Sequence, residues 1–296
     1  MGPLISVVIP TYNHAHFLDK ALQSVRQQTY TNWEALVVDN HSQDNTDEVI
    51  AALDDPRIRL LKIHNDGVIA ASRNLGIREA RGEWIAFLDS DDCWYPAKLE
   101  TFARVRAEDP TCDVVSNDEL RVDRETGGTT ILRHGPNEEP FYQALLLGGN
   151  RLSTSATVVR KAFLVRHRLA FSERRDHVTV EDYGLWLELA RLGARFTFVP
   201  EVLGEFVIHG ANNSAQLARH LANAEALLRD HVFTIQQFAQ VPSELWQHVS
   251  VRLTVGRLRH DIAERRYLAA IAAGLRAALT APIATAQYLA HKAVRR

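Results

Sequence analysis

Residues 83–92 read EWIAFLDSDD, and this stretch decides the fold. Its first half is a largely apolar run, which is typical of a strand buried on both faces of a parallel sheet. Its second half places Asp89, Asp91 and Asp92 within four positions. Carboxylates so close together repel one another unless a cation lies between them. The alternative is that Asp92 caps the helix that begins near Pro96, while the other two acids are solvated turn residues.

On both sides of this stretch, short apolar runs alternate with helix-length amphipathic segments between residues 5 and 118. The predicted strands are ISVVIP, WEALVVD, IRLLKIH, EWIAFLD and CDVVSND. Helices are predicted at 15–28, 45–54, 68–80 and 96–108. This βαβ pattern predicts an α/β fold with a mostly parallel, Rossmann-like central sheet flanked by helices.

After residue 118 the regular alternation ends. ETGGTT predicts a hairpin turn within residues 119–150, and STSATVVR predicts a further strand. Residues 179–193 predict a helix that ends at Gly193, and RFTFVPEVLGEFVIHG predicts one or two strands. From residue 214 onward nearly every segment is typical of helix.

The composition is that of an ordinary soluble globular chain. Its 296 residues suffice for one large α/β domain with an appendage, or for two modest domains. The two cysteines, Cys93 and Cys112, form no CxxC pair and no Cys/His cluster, so we expect no disulfide scaffold or structural zinc. The first residues lack the basic region and cleavage site of a secretory signal. We therefore expect a cytoplasmic protein.

Polar residues at the strand ends indicate where a ligand binds, because loops converge at the carboxyl edge of a parallel sheet. They are Pro10, Thr11, Tyr12 and Asn13 after the first strand, Asp39 and Asn40 after the second, and the three acids after the fourth. The first loop, PTYNHA, lacks the glycines of a dinucleotide site, and no GxxxxGK[ST] phosphate loop occurs. Phosphates at this edge would then need a cation, and an Asp-x-Asp turn can hold Mg²⁺ or Mn²⁺.

Two stretches together resemble a known family. SVVIPTYNHAHFLDKALQSVRQQTYTNWEALVVDNHSQDNT and NDGVIAASRNLGIREARGEWIAFLDSDD are similar to the inverting family 2 glycosyltransferases with a GT-A fold. The resemblance is strong over residues 4–118 and extends, less specifically, to about 214. It implies a catalytic domain over 1–213, with a nucleotide-sugar half at 1–118 and an acceptor half at 119–213. Residues 214–296 would form a helical extension.

The resemblance also implies the residues that bind a nucleotide-sugar donor. The implied set is Pro10, Thr11, Tyr12, Asp39, Arg73, Asp89, Ser90 and Asp92. Tyr12 would pack on the base, Asp39 would accept a hydrogen bond from a uracil-type N–H, and Arg73 would contact the diphosphate. The family usually has a second acid and a glycine after that Asp, whereas this chain has Asn40 and His41. The identity of the base is therefore open.

Further implied roles concern the metal, the base and the acceptor. Asp91 would ligate Mn²⁺ or Mg²⁺, with Asp89 and His209 as further ligands. VEDYGLWLELA resembles the motif that supplies the general base, for which we favour Asp182 over Glu181. Thr154 and Ser155 would line the acceptor side.

The expected activity is metal-dependent, inverting transfer of a sugar from a nucleoside diphosphate donor, with UDP the expected nucleotide, to a hydroxyl of a glycan or lipid-linked acceptor. Such a reaction serves surface polysaccharide or glycoconjugate assembly. Two alternatives remain: a nucleotidyltransferase-like enzyme, and a catalytically inactive nucleotide-sugar-binding protein. Nucleic acid is not an expected partner.

The last part of the sequence is basic, whereas the rest is acidic. Residues 250–296 hold nine Lys or Arg against Asp261 and Glu264, a net charge of +7, whereas residues 1–249 carry −9. Leu268, Ile271, Leu275 and Leu279 fall near one helical face, with Arg276 outside it. This segment predicts either a surface that binds an anionic membrane, peripherally at its inner face, or a contact with a second subunit through 214–296. A solvated helical face would have the same composition.

Overall fold

The computed structural model describes residues 2–135, 139–208, 214–238, 241–263 and 265–286. The chain divides into two compact units. The first comprises residues 1–138, 151–173 and 181–210, and the second comprises 139–150, 174–180 and 211–296. The second unit thus takes in two short segments that precede residue 213.

The first unit is built on a nine-stranded sheet. Its strands are β1 (Ile5–Thr11), β2 (Trp33–Asp39), β3 (Ile58–Lys62), β4 (Trp84–Phe87), β5 (Cys93–Trp94), β6 (Val114–Asp123), β7 (Thr129–Leu132), β8 (Thr157–Arg160) and β9 (Phe196–Ile208). They lie in the order β3-β2-β1-β4-β8-β6-β9-β5, and β7 pairs with β6. The hairpin predicted at ETGGTT is the β6–β7 turn, where Gly127 has a φ of +70° that glycine adopts without strain.

Helices connect these strands and form most of the second unit. They are α1 (Ala15–Arg26), α2 (Thr46–Ala52), α3 (Ile69–Glu79), α4 (Lys98–Glu108), α5 (Phe141–Gly148), α6 (Lys161–His167), α7 (Glu181–Arg191), α8 (Ser214–Asp230), α9 (Pro242–Ala263) and α10 (Tyr267–Thr280). The α/β fold class with a central sheet flanked by helices is confirmed.

The sheet is mixed, and this corrects the expectation of a mostly parallel one. β1, β2, β3 and β4 are mutually parallel, as the βαβ pattern predicts. β8 then lies antiparallel between β4 and β6, so CDVVSND does not continue the parallel series directly. An antiparallel pair needs no crossover helix between its strands. The strand predicted at STSATVVR begins only at Thr157.

Every residue of β1 and β2 is buried, because α/β crossovers cover both faces of these strands. α3 packs closely on this core: a Cβ at Gly76 would collide with the side chain of Val8. This close approach carries the buried face of α3, including Arg73, to the carboxyl ends of the parallel strands.

The described residues of the second unit are helical apart from short connecting segments. α9 packs on α8, α5 and α10. Within it the phenol of Tyr142 lies 2.9 Å from Nδ1 of His231. Among the residues that the structure describes, no helix is both long enough and apolar enough to cross a membrane.

Candidate active site

An open cleft of about 400 Å³ lies at the carboxyl ends of the parallel strands in the first unit. It is lined by Pro10, Thr11, Tyr12, His14, Asn40, Asn65, Gly67, Ile69, Ser72, Asp89, Ser90 and Asp91. Seven of the residues named in the sequence analysis are therefore together here: three at the end of β1, one after β2 and three after β4. The carboxyl edge is where ligands collect in open α/β sheets.

The loop after β1 is held in place by the loop after β2. The backbone N–H of Asn13 donates to Oγ of Ser42 at 2.8 Å, and the N–H of Gln43 donates to Oδ1 of Asn13 at 2.7 Å. Asn13 itself has a φ of 53°, a conformation that asparagine tolerates. The turn leaves Tyr12 more than half exposed beside the cleft. An aromatic face is thus presented to any ligand there.

Asp39 lies beneath the cleft and is completely buried. One of its carboxylate oxygens accepts a hydrogen bond from Nζ of Lys62 at 2.7 Å, and the hydroxyl and N–H of Ser42 also donate to the carboxylate. The neighbouring Asn40 lines the cleft instead. After β2, the cleft is therefore lined by the amide Asn40 and not by the carboxylate Asp39.

Sequence reasoning missed the residues that the third strand contributes. Asn65 follows β3, and its Nδ2 donates to Oγ of Ser72 at 2.9 Å, while Oδ1 of Asn40 accepts from the backbone N–H of Asn65 at 2.8 Å. The rule that ligands collect at strand ends, applied to IRLLKIHN, would have found Asn65. His14, whose Nδ1 lies 3.1 Å from Oγ of Ser90, is the residue immediately before α1, and its place in the loop PTYNHA was the signal that could have found it.

The acidic turn after β4 divides its three carboxylates between two environments. Asp89 and Asp91 line the cleft. Asp92 is buried, and its oxygens accept from the N–H of Val207 at 2.8 Å and from the hydroxyl of Ser155 at 2.5 Å. Burial raises the pKa of Asp92 well above its usual range, and the charges of Asp89 and Asp91 raise it further. Asp92 therefore orders the turn from inside, and the other two acids face the ligand space.

Ser155 and Thr154 are both buried in the structure. The hydroxyl of Ser155 donates to Asp92 and accepts the backbone N–H of Asp89 at 3.0 Å, so a single side chain holds both ends of the turn. The carbonyl of Ser155 accepts from Nε1 of Trp94. Ser155 thus contacts the acidic turn, whereas the resemblance assigned it to the acceptor side.

We expect Ser155→Ala to lower the free energy of unfolding by about 1–3 kcal/mol, because it leaves Asp92 buried with one hydrogen bond fewer. Ser116→Ala is the matched control. Ser116 is equally buried, but its hydroxyl has no hydrogen-bond partner within the described residues, so its removal should cost no stability. Urea denaturation of both variants measures the difference. Equal stabilities would show that the Ser155 bridge contributes nothing.

A buried cation joins the acidic turn to α7. The guanidinium of Arg73 pairs with Oδ1 of Asp89 through Nη2 and with Oε1 of Glu181 through Nη1, both at 2.7 Å. Its Cζ lies 5.3 Å from the ring centroid of Phe171. Burial lowers the pKa of Arg73, but the charges of Asp89 and Glu181 outweigh it and hold this pKa above its usual range. Arg73 is therefore a fixed positive charge at the edge of the cleft.

We expect Arg73→Met to destabilise the fold by about 3–5 kcal/mol, because it leaves the buried carboxylate of Glu181 without its cation. Arg78→Met is the control, since Arg78 lies exposed on the same helix. Chemical denaturation of the two variants is the measurement. A change for Arg73→Met as small as that for Arg78→Met would show that the ion pair is not needed for stability.

The two acids that begin α7 differ in their surroundings. Glu181 is buried, with one oxygen on Arg73 and, within the described part of the chain, no hydrogen-bond partner for Oε2. Asp182 is only partly buried, and it lies near enough to Arg73 to raise the pKa of that guanidinium. Asp182 is therefore the more accessible carboxylate of the pair.

The residues of the cleft suit a divalent cation. Within the described ranges, no three His, Cys, Asp or Glu side chains come together as a ligand set. The cleft does supply two carboxylates, Asp89 and Asp91, whose oxygens are the hard ligands that Mg²⁺ and Mn²⁺ prefer. Mg²⁺ is usually held by one or two carboxylates together with water and substrate phosphates. His209, the third predicted ligand, lies outside the described residues.

Comparison with known proteins gives one family. The family model described as "Glycosyl transferase family 2" matches residues 6–167. The UDP-Glc:alpha-D-GlcNAc-diphosphoundecaprenol beta-1,3-glucosyltransferase WfgD of Escherichia coli is 31% identical over 188 residues, which cover 64% of this chain and 70% of that protein. The glycosyltransferase GlyG of Streptococcus pneumoniae is 36% identical over 177 residues, which cover 57% of this chain and 58% of that protein.

Among solved structures, the mannosyltransferase PcManGT of Pyrobaculum calidifontis, in complex with GDP-Man and Mn²⁺, superposes with a TM-score of 0.63. The alignment covers 99% of this chain and 80% of that one, at 21% identity. This likeness concerns the fold, and it confirms the expected GT-A architecture.

Proposed function

The chain belongs to glycosyl transferase family 2 and is a glycosyltransferase, and we propose that it moves a sugar from a UDP-sugar to a hydroxyl group with inversion at C1. The observation that supports this most is the cleft at the edge of the parallel strands, where an exposed aromatic ring and two carboxylates lie together. The Escherichia coli relative carries UDP-Glc in its name, which favours a uridine nucleotide.

The nucleotide base is proposed to pack on Tyr12, with the amide of Asn40 or Asn65 at its polar edge. Tyr12 is the exposed aromatic side chain among the residues that line the cleft. An amide both donates and accepts, so either asparagine suits the mixed donor and acceptor edge of uracil. Asp39 would act from beneath, through Ser42, because its carboxylate is buried and already hydrogen bonded.

We expect Tyr12→Ala to weaken UDP binding by roughly 5- to 150-fold, since base stacking on an aromatic ring contributes about 1–3 kcal/mol. Tyr12→Phe keeps the ring and should bind UDP nearly as tightly as the wild type. Titration calorimetry with UDP measures both. Equal affinities for the alanine and phenylalanine variants would place the base elsewhere.

The donor diphosphate is proposed to lie over the acidic turn. Asp89 and Asp91 would hold Mn²⁺ or Mg²⁺ there, and the bound cation would stabilise the charge of the departing diphosphate. Arg73 adds a buried positive charge beside Asp89, although both of its terminal nitrogens already pair with carboxylates. Its proposed task is therefore to orient Asp89 and to offset the negative charge of the turn.

Asp182 is proposed as the general base. As the acceptor oxygen attacks C1, this carboxylate takes the hydroxyl proton while the bond from C1 to the diphosphate oxygen breaks on the opposite face. Glu181 holds Arg73 on the same helix end, so the two acids of the motif would have different roles. Single displacement from the opposite face gives the inverted product.

For the acceptor we propose a glycan or lipid-linked hydroxyl, with the reaction at the inner face of a membrane. The support is the Escherichia coli relative, whose name specifies a diphosphoundecaprenol-linked GlcNAc.

The test is a thermal shift screen of UDP-, dTDP- and GDP-sugars with and without Mn²⁺, followed by turnover assays with the sugar that binds. A ligand that binds only the native state raises the melting temperature of the protein. We expect the largest shift from a UDP-sugar with Mn²⁺. No shift from any nucleoside diphosphate with saturating Mn²⁺ would refute the proposed site.

A further inference from the structure

α10 packs in the second unit in a way that is unusual for a surface helix. Between residues 267 and 286, the side chains described as buried are small, and they are Ala270, Ala281 and Ala284. A Cβ placed on Gly274 would lie 3.2 Å from Cδ1 of Leu258 on α9. Ala281 and Ala284 form an apolar cluster with Val251 of α9. The large apolar residues of the segment are thus on its other side.

These large residues form a continuous exposed stripe. We call it the α10 stripe, and its members are Tyr267, Leu268, Ile271, Leu275, Leu279 and Ile283, which are between 57 and 86% exposed. Within α10 the members from Leu268 to Leu279 recur at intervals of three or four residues, so they share one helical face. A helix normally buries its largest apolar side chains, and an exposed row of them marks a contact surface.

The charge of the surrounding sequence indicates what contacts the stripe. From residue 265 to residue 296 the chain has six Lys or Arg and no Asp or Glu. Arg265 and Arg266 are exposed immediately before the first residue of α10. A second copy of this chain would bring an equally basic segment against it, and like charges oppose such a pairing. An anionic lipid surface offers the opposite charge.

The length and the side-chain arrangement of α10 suit a helix that lies on a membrane surface. At 14 residues, α10 is too short to span a bilayer, which needs about 20 apolar residues. A helix with large apolar residues on one face and basic residues beside it lies in the plane of the headgroups, with its apolar face in the acyl boundary. Basic residues near an anionic leaflet add an electrostatic attraction that falls with salt.

We propose that the α10 stripe binds the surface of an anionic lipid bilayer. This inference rests on the proposed function only in that a membrane is where a lipid-linked acceptor would be met. The lipid contact itself is independent of glycosyl transfer. The bound surface is a bilayer headgroup region, and no individual lipid pocket is involved.

The experiment is flotation of the full chain with vesicles of phosphatidylcholine and phosphatidylglycerol in equal amounts, and with vesicles of phosphatidylcholine alone. We expect the wild type to float with the anionic vesicles and much less with the neutral ones. High salt should reduce the fraction of protein that floats. The double variant Leu268→Glu/Leu275→Glu should lower the partition into anionic vesicles at least tenfold. Val165→Glu is the matched control, because Val165 is an equally exposed apolar residue on α6 of the first unit.

Three outcomes would overturn the proposal. They are a wild type that does not float with anionic vesicles, a double variant that floats as well as Val165→Glu, and a wild-type dimer in sedimentation that the double variant dissociates. The third outcome would assign the stripe to a second copy. Thermal shifts with UDP-sugars and Mn²⁺ on the same variants test the donor site separately from the lipid contact. The double variant should keep the wild-type thermal shift whether or not it binds lipid.

Discussion

Asp91→Ala is expected to lower kcat by at least about a hundredfold while the protein stays folded. Asp91 lines the cleft and is only partly buried, so its replacement removes no charge from the core. Under the proposed mechanism its carboxylate holds the cation over the departing diphosphate. Loss of such a focused charge interaction in a transition state costs about 3 kcal/mol or more. Circular dichroism and a urea titration check the fold, and a donor turnover assay with Mn²⁺ measures the rate.

The control for this prediction is Asp19→Asn. Asp19 is an exposed acid on α1 and is not among the residues that line the cleft. Its replacement should leave kcat unchanged. Asp91→Ala should also lose most of the Mn²⁺-dependent tightening of UDP, a binding readout that needs no acceptor. Wild-type turnover from Asp91→Ala would remove this residue from the mechanism.

The parallel half of the fold followed from the sequence because its signals are local. The apolar runs of β1, β2 and β4 are buried along their full length, so continuous hydrophobicity identified them. The strand-end rule then located the cleft, since Tyr12, Asp89 and Asp91 follow the ends of two adjacent parallel strands. These inferences needed no contact between residues far apart in the chain.

What the sequence could not predict depends on pairings across the fold. The antiparallel position of β8 brings Ser155 against Asp92, 63 residues earlier in the chain, and no pattern within either segment indicates that contact. The ion pair from Arg73 to Glu181 spans 108 residues for the same reason. Asp92 and Asp91 are neighbours with identical side chains, and only the packing of the turn separates the buried acid from the one at the cleft.

The second large effect is expected at the start of α7, where Asp182→Asn should lower kcat by roughly a hundredfold to ten-thousandfold, the range for loss of a general base. The amide is nearly the same size but cannot take the acceptor proton, so donor affinity should remain close to that of the wild type. The wild-type rate should fall at acidic pH, because a protonated carboxyl group cannot act as a base, and this acidic limb should be absent from the residual activity of the variant.

Glu188→Gln is the matched control for Asp182→Asn, because Glu188 lies on the same helix and pairs with Arg191 away from the cleft-lining residues. Its kcat and pH profile should match those of the wild type.

Glu181 is the alternative general base, and it differs from Asp182 in being held by a buried ion pair. Because Glu181 is held by Arg73, Glu181→Gln should lower stability as well as rate, whereas Asp182→Asn should lower the rate alone. An active Asp182→Asn enzyme that keeps its acidic limb, beside an inactive but stable Glu181→Gln enzyme, would transfer the role of base to Glu181.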